Sequence, residues 1–132
     1  MSIQFEVSGI VPASPEKVYK AWLNSTEHEL MTGASARVTT TVGAPFEAWD
    51  GYIQGINLEL EPPRRILQSW RTTEFDKNDE SSILEILFEP ATNGTCITIH
   101  HSNLPAHGMQ YQQGWIDSYF EPMKSYFSSI SE

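Results

Sequence analysis

Four histidines, one cysteine and a tryptophan–arginine pair are the side chains of this chain best suited to chemistry. His100 and His101 are adjacent in TCITIHHSNLP, a run that reads as a strand. Successive strand side chains point to opposite faces, so the pair cannot chelate one ion. His28 and His107 fall in or beside expected loops, and neither HxH nor HExxH spacing occurs, so no metal site is expected. His101 shares its parity with Ile97 and Ile99 and should face the interior. There it would be either a core histidine bonded to a neighbour or a polar group that titrates near neutral pH and meets a ligand. Cys96 has the opposite parity and reads as a passive thiol on the outer face. Glu59 and Glu61 share a solvent-facing parity, which argues for solubility and against an acid–base pair. No GxSxG, GxGxxG or GxxxxGK[ST] is present, so no catalytic residue and no cofactor is assigned.

A second group of residues suggests binding. Ile66, Gln68 and Trp70 share one parity, leaving Arg71 to face outward and pair with an acid on a neighbouring strand. Gln54 goes with Ile56 and Leu58, which are read as inward, while Asn57, Glu59 and Glu61 are read as outward. Tyr52, Gln54, Trp70 and His101 would then line one space with Trp115 and Tyr119. Apolar walls with a few polar handles are the composition of a small-molecule pocket. They are equally the composition of a filled core containing Tyr and Trp.

The elements that must position these residues follow from periodicity. Residues 3–10 alternate as an opening strand. Ser14 is placed to cap a short helix with Pro15 at its first position and Glu16 at the positive end of its dipole. Asn24 and Glu27 could cap a second short helix that ends near Gly33. Six further strands are expected at 35–42, 45–49, 52–61, 65–73, 82–89 and 95–102, separated by turn residues such as Asp50-Gly51, Pro62-Pro63 and Asn93-Gly94. From about Tyr111 the period becomes helical, with Trp115, Tyr119, Met123 and Tyr126 forming a stripe that could lie across a sheet. Pro122 inside that stripe should kink the helix. The plan is α+β.

The whole composition narrows the function classes. A chain of 132 residues, 39% hydrophobic and 19% charged, suits one soluble domain spanning 1–132. Eight basic against 17 acidic residues give a formal charge of -9, which disfavours nucleic acid and anionic membrane surfaces. No apolar run is long enough to span a bilayer, and MSIQFEVSG does not read as a signal peptide. With a lone cysteine as well, a cytoplasmic location is expected.

Four pieces, VPASPEKVYKAWLNSTEH, GYIQGINLELEPPRRILQSWR, TCITIHHSNLP and GWIDSYFEPMKSYF, carry a resemblance that spans nearly the whole chain. It resembles the START-like (SRPBCC, helix-grip) superfamily, and within it the homologues of the activator of the ninety-kilodalton heat-shock protein's ATPase. It departs from them at Met31-Thr32-Gly33-Ala34, where the family often carries tryptophan, and at Pro122. The resemblance implies a helix-grip fold: an antiparallel sheet wrapped around a long C-terminal helix, with two short helices after the first strand. It also implies an internal cavity for a small hydrophobic ligand, in a monomer or homodimer. The alternatives are a chaperone-interacting regulator, with a role in stress response, and a cyclase- or aromatase-type enzyme for which His101 would be the acid–base candidate.

Overall fold

The computed structural model describes residues 2–130, without the side chain of Ile130, so the outermost positions of the expected 1–132 domain lie outside it. Six strands form one antiparallel sheet in the order β1-β6-β5-β4-β3-β2. They are β1 (Ile3–Val11), β2 (Pro45–Ala48), β3 (Ile53–Glu61), β4 (Arg65–Thr72), β5 (Ser82–Ala91) and β6 (Gly94–Leu104). Helices α1 (Pro15–Trp22) and α2 (Ser25–Thr32) follow β1. The C-terminal segment runs from α3 (Gln110–Trp115) through a π-helical turn (Ile116–Phe120) into α4 (Glu121–Ile130). This is the α+β helix-grip arrangement expected from the sequence.

The local signals explain the short helices. Ser14 Oγ accepts from the Lys17 amide at 3.3 Å, and Asn24 Oδ1 accepts from the Glu27 amide at 2.9 Å. Gly33 ends α2 with φ 83°, a conformation that glycine adopts without a Cβ penalty. Buried residues alternate along three strands: Ile66, Gln68 and Trp70 of β4, Leu84, Ile86 and Phe88 of β5, and Ile97, Ile99 and His101 of β6.

Two expectations are corrected and a third takes a specific form. The segment 35–42 is not a strand; it makes one isolated bridge, Arg37 to Glu47, and is otherwise held by side chains. The Asn57 amide donates to the carbonyls of Thr39 and Thr41 at 2.9 and 3.1 Å, and the Ser25 hydroxyl binds the Val38 backbone. Asn57 is thereby the inward residue of β3 (0% exposed), whereas Ile56 (44%) and Leu58 (38%) face out. Its Oδ1 also accepts from Gln68 at 2.9 Å, so its whole amide is satisfied indoors, and the pairing with β4 slips between Asn57 and Glu59. Lastly, the irregularity before Pro122 is a π-helical turn, in which the Glu121 amide reaches back five residues to the Ile116 carbonyl. The wider turn precedes the proline, which has no N–H to continue an α ladder.

Candidate functional site

A pocket of about 270 Å³ lies where the β2–β3 turn, β4 and the start of the C-terminal helical segment converge. The turn contributes Trp49 and Tyr52, β3 contributes Ile53 and β4 contributes Trp70. The helical segment contributes Tyr111, Gly114, Trp115, Ser118 and Tyr119. The Asp50-Gly51 signal does mark this turn: Asp50 (φ 58°) and Gly51 (φ 90°) occupy its centre, and the Tyr52 amide donates to the Trp49 carbonyl at 3.0 Å. Trp49 itself has φ 54°, an uncommon conformation for a bulky residue. Ser35 holds it in place by exchanging bonds with Asp50, its amide donating to Oδ1 at 3.0 Å and its carbonyl accepting from the Asp50 amide at 3.1 Å.

Of the six residues expected to line one space, Tyr52, Trp70, Trp115 and Tyr119 meet here. Gln54 does not. It is exposed, and its side-chain amide donates back to the Gly51 carbonyl at 3.2 Å. Because Ile53 is the inward residue at the start of β3, strand alternation turns Gln54 out. His101 is buried one layer behind the pocket. The Trp115 indole N–H donates to its Nδ1 at 3.1 Å, so its proton sits on Nε2 and is donated to Ser82 Oγ at 2.8 Å. Ser82 in turn donates to the Trp70 carbonyl at 2.8 Å. Burial pushes the His101 pKa down to about 3, and both ring nitrogens are already engaged. This is the core-histidine arrangement, and it leaves His101 no free nitrogen for acid–base work.

The histidine expected beside a loop, His28, is part of α2 and is also buried. Its Nδ1–H donates to the Trp22 carbonyl at 2.8 Å, and its Nε2 accepts from the Tyr119 hydroxyl at 2.9 Å. Burial lowers the His28 pKa and raises that of Tyr119, so both remain neutral and the bond keeps its direction. The Tyr119 ring stacks on Trp22 at 4.9 Å between centroids. A third histidine completes the pattern: His107 Nε2 lies 3.1 Å from the Tyr111 hydroxyl, which is 2.6 Å from Thr72 Oγ1. Three pocket aromatics therefore have their polar tips bonded to histidines, and the rings are what remains to face a ligand. Tyr52 differs, donating to the Glu74 carboxylate, which also accepts from Gln110 Nε2 at 3.1 Å.

Trp49 and Tyr111 belong to the pocket although the sequence reading missed them. Trp49 is expected as the last residue of a strand at 45–49, but β2 ends at Ala48 and Trp49 lies in the turn, where alternation no longer applies, and Tyr111 stands at the helix start where the period is barely established. Among the described residues Arg71 finds no acid partner: it donates to the carbonyls of Asp79 and Asp76 at 3.0 and 2.9 Å, and its guanidinium lies over Phe75. It therefore organises the β4–β5 loop. No group of three potential metal ligands occurs among the described residues, and none of their buried side-chain nitrogens or oxygens lacks a partner.

Residues 12–128 match the family described as Activator of Hsp90 ATPase homolog 1-like protein. A Dictyostelium discoideum protein named as an activator of 90 kDa heat shock protein ATPase homolog is 26% identical over 90% of this chain and 31% of its own length. The Homo sapiens homolog 1 of that activator is 26% identical over 86% of this chain and 34% of its own. The chain thus spans about a third of the length of these curated relatives. The crystal structure of an HSP90 activator from Plasmodium falciparum superposes with a TM-score of 0.77 at 23% identity, covering 90% of this chain and 91% of that one. At that identity the likeness speaks for the fold. No helix among the described residues is long and apolar enough to cross a membrane.

Proposed function

The chain belongs to the Activator of Hsp90 ATPase homolog 1-like family, and we propose that it acts by binding a small, largely apolar ligand in the pocket between the β2–β3 turn and the C-terminal helical segment. The observation that carries this reading is the chemistry of the pocket wall. Six aromatic residues meet around a space of about 270 Å³, and no charged side chain is among those that line it. A wall of ring surface with satisfied polar tips favours ligands that give up little hydration on entry. Tyr52, Trp70, Trp115 and Tyr119 make the contacts, joined by Trp49 and Tyr111; His101 and His28 hold two of the rings from behind.

The same reading takes residues 1–132 as a single START-like domain, working in the cytoplasm as a monomer or homodimer. Native mass spectrometry of freshly purified protein tests it. A retained small molecule that leaves on mild activation is expected, whereas an empty protein that takes up no compound from a panel of small aromatics and lipids would sink the reading.

A second reading, a regulator that docks on a chaperone, is supported by relatives named as activators of the 90 kDa heat shock protein ATPase, which match 86% to 90% of this chain. The acidic surface would then make the contacts, and binding should weaken with salt. Its test is the ATPase rate of a cognate ninety-kilodalton heat-shock protein with and without this chain. An unchanged rate together with failure to co-purify would dispose of it. An enzyme of the cyclase kind is the least supported, because the engaged ring nitrogens of His101 leave it without its acid–base residue.

A further inference from the structure

We propose that the ligand's anchoring group is a quaternary ammonium, held by cation–π attraction among the pocket rings; this rests on the pocket being a ligand site. The first support is geometric. Trp49 meets Tyr119 at an interplanar angle of 70° and Trp70 meets Tyr111 at 80°, while Trp115 is inclined at 43° to Trp70 and 45° to Tyr119, so the rings of the wall stand at steep angles to one another. A compact cation can touch several ring faces at once in such a corner, whereas a flat ligand can stack on only one of each pair.

The second support is charge. None of the lining residues is basic, so an anionic ligand would have no counter-charge there. The charge available nearby is negative. Glu74 is bonded to the Tyr52 hydroxyl and to Gln110, and those two bonds lower its pKa and keep it ionised. Exposed Asp50 and Asp117 adjoin the lining residues Trp49 and Ser118 in the chain, and the formal charge of the whole is -9. Long-range attraction therefore favours a cation over a neutral molecule of the same shape.

The third support selects the kind of cation. A primary ammonium that leaves water needs hydrogen-bond acceptors, and a quaternary one needs none. The hydroxyls of Tyr111 and Tyr119 are already committed to Thr72 with His107, and to His28, and the Trp115 indole is committed to His101. Rings with occupied tips can offer their faces but few acceptors.

The experiment is calorimetric titration of the full chain, at low ionic strength, with choline, with its neutral carbon isostere 3,3-dimethylbutan-1-ol, and with ethanolamine. Choline should bind more tightly than either by about tenfold or more. Glu74→Gln, an exposed substitution compatible with folding, should narrow the gap between choline and the neutral alcohol. Equal or tighter binding of the alcohol would overturn the inference while leaving the apolar pocket reading intact. So would failure of choline to bind a protein that retains or takes up an apolar molecule. If no probe binds and the protein is empty in native mass spectrometry, both the inference and the reading beneath it fall.

Discussion

The two halves of the C-terminal helical segment face the same sheet and meet it differently. Towards its end, Phe120, Met123 and Phe127 are buried in one core with Ile66, Ile86, Phe88, Ile97 and Ile99, all at 2% exposure or less. Towards its start, Tyr111, Gly114, Trp115, Ser118 and Tyr119 border a pocket of about 270 Å³. Side-chain chemistry accounts for the difference. Aliphatic and phenyl groups have no bond to keep and settle into close packing. The rings at the open end are tethered: Tyr119 to His28, Trp115 to His101, and Tyr111 to Thr72 and His107. A ring that swung inward would orphan a buried polar group, which costs about 1–3 kcal/mol. The tethers keep the walls apart.

The filled end should be the more sensitive to truncation. Phe88→Ala is expected to lower stability by about 3–5 kcal/mol in urea unfolding, because its neighbours cannot collapse into the space. At the open end, His28→Ala should cost about 2–4 kcal/mol, part of it from the orphaned Tyr119 hydroxyl. If the tether matters, adding Tyr119→Phe to that variant restores some stability. Strictly additive losses would instead mean that the histidine acts only by filling volume.

Protonation offers a milder way to strain the same end. The folded His101 pKa is pushed down to about 3 by burial, against an ordinary value of about 6.5. Below that ordinary value the unfolded chain binds a proton that the folded one does not. The contribution of His101 is therefore complete at neutral pH and declines as the pH falls towards 3. Between pH 7 and pH 5 the loss should be about 2 kcal/mol, and it should vanish from the pH profile of His101→Gln. An unaltered profile would show that another group is responsible.

The smallest expected effect has the opposite sign. A Cβ built on Gly114 meets nothing within 4 Å, so this helical glycine borders open space. Gly114→Ala should raise stability by about 0.5–1 kcal/mol, as expected for relief of glycine's conformational entropy in a helix. A destabilising result would mean that the space is smaller than described.

Much of this contrast was legible because it depends on short-range signals. Parity on β4 and β6 correctly turned Trp70, Ile97, Ile99 and His101 inward, and the caps at Ser14 and Asn24 lie where the residue types suggest. Parity failed on β3. There Asn57 is drawn inside by Thr39, Thr41 and Gln68, partners remote in sequence that no local pattern reveals. Its inward turn sends Gln54, Ile56 and Leu58 outward together. The pocket was legible only in part for a related reason: Trp70, Trp115 and Tyr119 announce themselves by periodicity, whereas Trp49 enters through a turn with positive φ. The roles of His28 and His101 depend on which nitrogen bonds to what, and that exists only after the elements have packed.

The central claim, that the open end is a ligand site, is tested most directly by filling it from the helix. Gly114→Leu should fold and unfold cooperatively. A compound that raises the melting temperature of the wild type by several degrees through selective binding to the folded state should leave the variant's unchanged. Equal shifts in both proteins would contradict the claim, since the ligand would then have to bind elsewhere.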